Sequence, residues 1–124
     1  MSLPAALLLA WMQACATLYG VEPEFALAVA TIESRLQCGP LGRKGTYCGP
    51  MGIHKCFRAK WDIDNPFVNI AVGVRALKGR DQRRVLQRYN ASFNEAYWRA
   101  VQSCRRQYQR DRVFEFAGQK EVGR

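Results

Sequence analysis

The chain predicts a mainly α fold: about five helices around one loop-rich insertion that holds at most short strands, in a single domain over residues 1–124 with a C-terminal tail from about residue 112. Three observations lead there. Apolar residues recur at three- and four-residue steps in several separate stretches, the spacing of a helix with one buried face. Glycine, proline and cysteine crowd the interval from Gln37 to about Pro66, where no helical period survives. A length of 124 residues with 48% hydrophobic content suffices for one ordinary core and is short for two.

The first helix is read in "LPAALLLAWMQACATLYG", where Leu7, Leu8, Trp11, Cys15, Leu18 and Tyr19 fall on a helical spacing. Pro4 suits its first turn and Gly20 its end. The same stretch looks partly like the apolar region of a secretory leader followed by the small-residue triplet "ACA". No Lys or Arg stands before it, however, and Gln13 and Thr17 interrupt it before it reaches the length of a membrane span. It is expected to be a helix of the mature protein, with no transmembrane span; a leader removed ahead of Met1 is left open.

"EPEFALAVATIESRL" supplies the second helix. Pro23 and Glu24 stand where a first turn wants them, and Phe25, Ala28, Val29, Ile32 and Leu36 form one broad apolar face. "CGPLGRKGTYCGPMGIH" is too irregular for a helix, and a loop region this long inside one domain is usually functional. Three more helices follow in "NIAVGVRALKG", in "DQRRVLQRY" behind an Asp81 cap, and in "NEAYWRAVQSCRRQY", before which "SFNE" at 92–95 reads as a capping box.

Nineteen Lys plus Arg against ten Asp plus Glu give a formal charge of +9, which predicts attraction to an anion: nucleic acid, anionic lipid or bacterial cell wall. The charge is uneven. No basic residue precedes Arg35, whereas residues 75–112 hold eleven Lys or Arg and only Asp81, Glu95 and Asp111 as acids. Five cysteines, with no C-x-x-C pair or histidine pattern for zinc, point to an oxidising compartment. A local Cys38–Cys48 disulfide and a long-range Cys56–Cys104 one are expected, with Cys15 left over. The alternative is five buried thiols acting as small hydrophobes.

Glu33 raises the sharpest chemical question. Val29, Ala30 and Leu36 surround it at helical spacing, so its own face is largely apolar, and it stands where the helix gives way to the loop region. Desolvation favours the protonated form of such a carboxyl, which would fit it to act as a general acid near neutral pH. The plainer reading is a surface ion pair with Arg35 or another nearby base.

The order of the remaining pieces bears on that choice. "YGVEPEFALAVATIES", then "GPMGIH", then "NIAVGVRAL", then "RYNAS" resembles the catalytic domain of soluble lytic transglycosylases, within the goose-type lysozyme-like superfamily. The likeness runs from about Ala6 to Val101. It implies a lysozyme-like domain in which Glu33 is the single catalytic acid and Ser34 its companion in a Glu-Ser pair. Gly49, Met51 and Ile53 match a Gly-Leu-Met-Gln-Ile block, with Pro50 and Gly52 in place of its Leu and Gln. Asn69 and Gly73 match an Asn-x-x-x-Gly helix, and Tyr89 with Asn90 matches the core of an Ala-Tyr-Asn-x-Gly segment whose Tyr helps hold the acid. Ser92 stands where glycine is usual and Ala76 where a Tyr is common. The missing Gln bears on one sugar contact, and Ser92 on the local turn.

The resemblance thus implies Glu33 and Tyr89 as catalytic residues, and Ser34, Tyr47, Met51, Ile53 and Asn90 as substrate-binding ones. It also implies the chemistry. Glu33 would protonate the oxygen of the β-1,4 bond between N-acetylmuramic acid and N-acetylglucosamine, while the substrate's acetamido group supports the charge at C1. The ionised Glu33 would then take the proton of the muramyl C6 hydroxyl, which closes a 1,6-anhydro ring. No second acid stands between Glu33 and Asp62. Asp62 or Asp64 holding a water would instead make a hydrolytic, goose-type-like lysozyme. His54, the one histidine, has no part in the implied mechanism, and no metal or cofactor is called for. Tyr47, Trp61 and Tyr97 are candidates for stacking on sugar rings.

Two other classes remain. One is a basic helical nucleic-acid-binding module using "RDQRR" and "CRRQYQRDR", which would leave the loop region without work. The other is an inactive wall-binding or secretion-assembly component of the same fold. The expected partners are peptidoglycan glycan strands, with a secretion, conjugation or phage assembly as the wider setting and nucleic acid disfavoured. The protein is expected as a monomer, periplasmic or exported to the cell envelope, with a virion as the alternative location.

Overall fold

The computed structural model describes residues 5–36 and 45–115 and the backbone of 40–41; over these the chain is mainly helical. Helix α1 (Ala5–Tyr19) leads into α2 (Pro23–Ser34), which begins with Pro23 and Glu24 where free backbone N–H groups and the helix dipole favour them. Phe25 and residues Ala26 through Ala30 are all buried, so α2 is the central helix, apolar on every side along that run. Three two-residue strands, β1 (Pro40–Leu41), β2 (Tyr47–Cys48) and β3 (Ile53–His54), pair antiparallel in the order β1-β2-β3. Tyr47 lies opposite His54 and Cys48 opposite Ile53. A 3-10 turn (Lys55–Ala59) follows, then α3 (Pro66–Ala76), α4 (Gln82–Tyr89) and α5 (Glu95–Asp111). Helix α5 packs along α2, and α3 along α1.

The core gathers Met12 of α1, Phe25 and Val29 of α2, Ile70 and Val74 of α3, Leu86 of α4 and Val101 of α5 around Met51 and Ile63 from the loops. Each such side chain contributes about 1.5–3 kcal/mol on burial, against about 1 kcal/mol net for a hydrogen bond of a short ladder. The helices therefore support the small sheet, not the reverse.

That support is specific. Asn69, fully buried on α3, accepts a hydrogen bond from Met51 N (2.8 Å) and donates to Cys48 O (2.7 Å) and Ile63 O (3.0 Å). One turn on, a Cβ at Gly73 would stand 2.4 Å from Met51 Cβ, so only glycine lets α3 close on that residue. From the other side the buried Ser34 hydroxyl, at the last residue of α2, reaches Ala30 O (3.1 Å) and Pro50 O (2.5 Å). The segment Cys48–Met51 is thus clamped between α2 and α3.

Several local expectations shift. Helix α1 buries Leu8, Met12, Cys15 and Ala16, whereas Leu7 and Leu18 are 46% and 74% exposed. The helix is apolar nearly all round, and contact with α2 and α3, not spacing, selects its buried side. Helix α2 ends at Ser34, two residues before Leu36, because Arg35 and Leu36 both turn left-handed (φ 54° and 63°) and Arg35 N bonds back to Thr31 O (3.0 Å). The cap of α5 is Asn94, accepting from Tyr97 N (2.8 Å), and not a box at 92–95: Ser92 and Phe93 are held in a turn by Asn90. Ser92 is not left-handed, so its glycine-like position imposes no strain. The tail begins later than 112, since Phe114 returns to the core.

The cysteines also differ from expectation. Cys15, Cys48, Cys56 and Cys104 carry free thiols. The Cys56–Cys104 bridge does not form: Cys56 is exposed on the 3-10 turn, while Cys104 lies half-buried on α5 beside Tyr108. Cys38, the expected partner of Cys48, lies outside the described residues. Among the described residues no helix is long and apolar enough to cross a membrane.

Asn69→Ala would strand a buried N–H and two carbonyls, each worth about 1–3 kcal/mol when unpaired. Thermal unfolding followed by circular dichroism should show a loss of about 3 kcal/mol, or roughly 10 °C in Tm. A loss below about 1 kcal/mol would mean the clamp is not what holds the loop.

Candidate active site

Glu33 stands one residue before the end of α2, half-buried, and three elements close around it. From α5 the Tyr97 hydroxyl donates to Glu33 Oε2 at 3.3 Å, and the side-chain amide of Asn90 hydrogen-bonds the same hydroxyl. From the clamped loop comes Gly52, whose backbone is left-handed (φ 60°) and on which a Cβ would stand 3.1 Å from Glu33 Cβ. Glycine here lets the loop backbone lie directly on the acid, and a longer side chain would be strained by that φ. The third is Tyr89 at the end of α4, half-buried beside Glu33, its hydroxyl donating to the Met51 carbonyl.

Burial raises the Glu33 pKa above the ordinary carboxylate value, and the hydrogen bond from Tyr97, which favours the charged form, only partly offsets it. Burial together with the neighbouring Glu33 raises both tyrosines, so both hydroxyls keep their protons and act as donors. Among the described residues no ion pair reaches Glu33; the pairs are Arg58–Asp64, Arg83–Glu95, Arg105–Glu22 and Arg112–Glu115. The surface pairing with Arg35 is therefore not formed.

A cleft of about 940 Å³ adjoins this group. Gly52, which packs on Glu33, and Tyr89 beside it belong to its lining. Tyr47, Ile53, His54 and Trp61 also line it. Tyr47 is exposed and meets the His54 ring edge-on at 5.5 Å. His54 caps the 3-10 turn, its Nδ1 accepting from Cys56 N (3.1 Å).

The residues expected to bind substrate therefore divide. Tyr47 and Ile53 face the cleft. Ser34 and Met51 are buried and outside its lining, because their bonds and bulk are spent on holding the loop. Asn90 is likewise turned into the protein, bonding Ser92 N (2.8 Å) and Tyr97. Tyr89 holds the loop carbonyl, and it is Tyr97 that touches the acid. Tyr97 was legible as an α5 aromatic that could stack on a sugar ring; it is not in the cleft lining, and its contact with Glu33 depends on how α5 packs along α2. Asp64 is tied to Arg58 (3.0 Å) in an exposed pair, and Asp62 is exposed.

Comparison with protein families, with curated proteins and with solved structures finds no match to this chain. The geometry of the site is what a functional reading rests on.

Two outcomes are expected from Glu33. Removing the Tyr97 donor should raise its pKa further, so carbon-detected NMR titration should place the Glu33 carboxyl higher in Tyr97→Phe than in wild type, with a smaller change in Tyr89→Phe. No change in Tyr97→Phe would show the bond to be idle. Because its pKa is raised on folding, the stability linked to Glu33 is complete below the unfolded carboxyl value and is lost as pH rises through the folded one. The Tm of Glu33→Gln relative to wild type should therefore be more favourable at pH 7 than at pH 4, and the reverse order would mean that the fold stabilises the ionised form.

Proposed function

We propose that the protein is a lytic transglycosylase that cleaves the β-1,4 bond between N-acetylmuramic acid and N-acetylglucosamine in peptidoglycan. The observation that carries the reading is one carboxyl with no ion-pair partner among the described residues, raised in pKa by burial, bonded to a tyrosine hydroxyl and set beside an aromatic cleft. The resemblance of the four sequence blocks supports the same reading.

In this reading Glu33 acts twice. Protonated, it gives its proton to the glycosidic oxygen as the C1–O bond breaks, and the acetamido oxygen of the muramyl ring takes up the positive charge at C1. Ionised, it removes the proton of the C6 hydroxyl, whose oxygen bonds C1 and displaces the acetamido oxygen to leave the 1,6-anhydro ring. The carboxyl ends protonated, ready for another turn. A raised pKa suits the first step, and the Tyr97 hydroxyl steadies the carboxylate for the second. Asp64 is tied to Arg58, so the hydrolytic alternative, which needs a second carboxylate to hold a water, falls to the exposed Asp62. Action on peptidoglycan sets the protein in the cell envelope, periplasmic or exported.

Digestion of purified peptidoglycan, with the released muropeptides weighed by mass spectrometry, tests the proposal. Products one water lighter than hydrolysis products are expected from wild type, with Glu33→Gln slower by about 10²–10⁴-fold. Reducing-end products would make the protein a lysozyme, and no products from wild type would leave a binding or assembly role.

A further inference from the structure

The cleft beside Glu33 is charged with one sign. Lys60, Arg75 and Arg88 line it, and among the described residues no Asp or Glu does. Arg75, in the last turn of α3, has no side-chain partner among the described residues. Among the described residues Arg88 makes one long hydrogen bond (3.5 Å), to Lys78 O, and Lys60 lies 4.6 Å from the centre of the Trp61 ring. Arg58, Arg83, Arg105 and Arg112, by contrast, are each paired with an acid outside the cleft.

Exposed cations need no partner in water, so their being unpaired is not by itself informative. Their placement is. Like charges set among low-dielectric aromatic walls focus the local potential and concentrate anions there. Guanidinium groups pair with carboxylates through two parallel hydrogen bonds, stronger than neutral ones. Exposed Tyr47 lines the cleft beside His54, and half-buried Trp61 lines it with Lys60 over its ring and Phe57 alongside. An aromatic wall with cations and no acids suits a glycan that itself carries carboxylates.

We infer that the cleft selects a carboxylate-bearing glycan over a neutral one of the same backbone, with Arg75 and Arg88 as the residues that hold the carboxylates. This rests on the reading of the cleft as a glycan site. The carboxylate can come from the lactyl ether of muramic acid or from a peptide stem. Single-stranded nucleic acid also joins anions to stackable rings, but a general acid beside the cleft has work on a glycosidic oxygen and none in holding such a strand.

Binding to full-length Glu33→Gln, which separates affinity from turnover, tests the inference by calorimetry. The ligands are chitotetraose, the tetrasaccharide of alternating N-acetylglucosamine and N-acetylmuramic acid, the same tetrasaccharide with peptide stems, and oligothymidylate. At low salt a carboxylated glycan should bind about tenfold tighter than chitotetraose, a preference that shrinks as salt rises. Preference by the stem-free tetrasaccharide assigns the contact to the lactyl group; preference only with stems assigns it to the peptide. Adding Arg75→Gln and Arg88→Gln should abolish the preference and leave chitotetraose binding unchanged, which also reports an intact fold. Arg106→Gln with Arg110→Gln, an equal charge change on the exposed part of α5, should leave the preference in place. Equal affinity for neutral and carboxylated glycans, a preference that survives loss of both cleft arginines, or tighter binding of oligothymidylate than of either glycan would overturn the inference. Equal affinities would not touch the proposed enzyme activity, and a failed digestion would not touch these affinities.

Discussion

The hydrogen bonds of Asn69 are the constraint on which the rest of the site depends. The segment from Cys48 to Ile53 carries two-residue strands and a glycine-rich turn, too little regular structure to hold its own shape. One buried amide on α3 satisfies a backbone N–H and two carbonyls of this region and of Ile63, groups that would be costly to bury unpaired. Ser34 bonds the same segment from α2. With Gly73 admitting Met51 against α3, the turn is pressed between two helices, and Gly52 is delivered onto Glu33.

The carboxyl owes its character to this arrangement. Among the described residues its neighbours are a glycine backbone and two tyrosine hydroxyls, not a cation, so only the Tyr97 hydrogen bond opposes the raising effect of burial. The chain carries a net charge of +9, yet among the described residues no cation is placed to pair with it. The positive charge is spent elsewhere: on ion pairs between helices and loops, on the exposed part of α5, and on the cleft wall. One region therefore keeps a protonatable acid while the surface beside it draws anions.

Tyr89 and Tyr97 illustrate how a role can pass between residues of the same chemistry. Tyr89 occupies the position that the resemblance associates with holding the acid, yet its hydroxyl is engaged with the Met51 carbonyl. Tyr97, on a helix outside the four blocks, donates to Glu33. Both hydroxyls lie near the carboxylate, and it is the packing of α5 along α2 that brings Tyr97 onto it. Asn90 joins the two, since it lies next to Tyr89 in the chain and bonds Tyr97 in space.

The sequence by itself determined the mainly helical class, the order of the elements and the position of Glu33 at the end of a buried helix. Those features are local: apolar spacing, Pro23 at a first turn, the Asp81 cap and the Gly-Pro-rich break all act within a few residues. It left undecided which side of α1 is buried, since a helix apolar all round has no preferred face until α2 and α3 arrive. It misread the cap of α5 and expected a Cys56–Cys104 bridge between two thiols that the fold leaves free. Only the tertiary structure decided these, and with them the Tyr97 contact and the charge of the cleft. Each depends on side chains distant in sequence meeting in space, and no period or motif encodes the angle at which two helices cross.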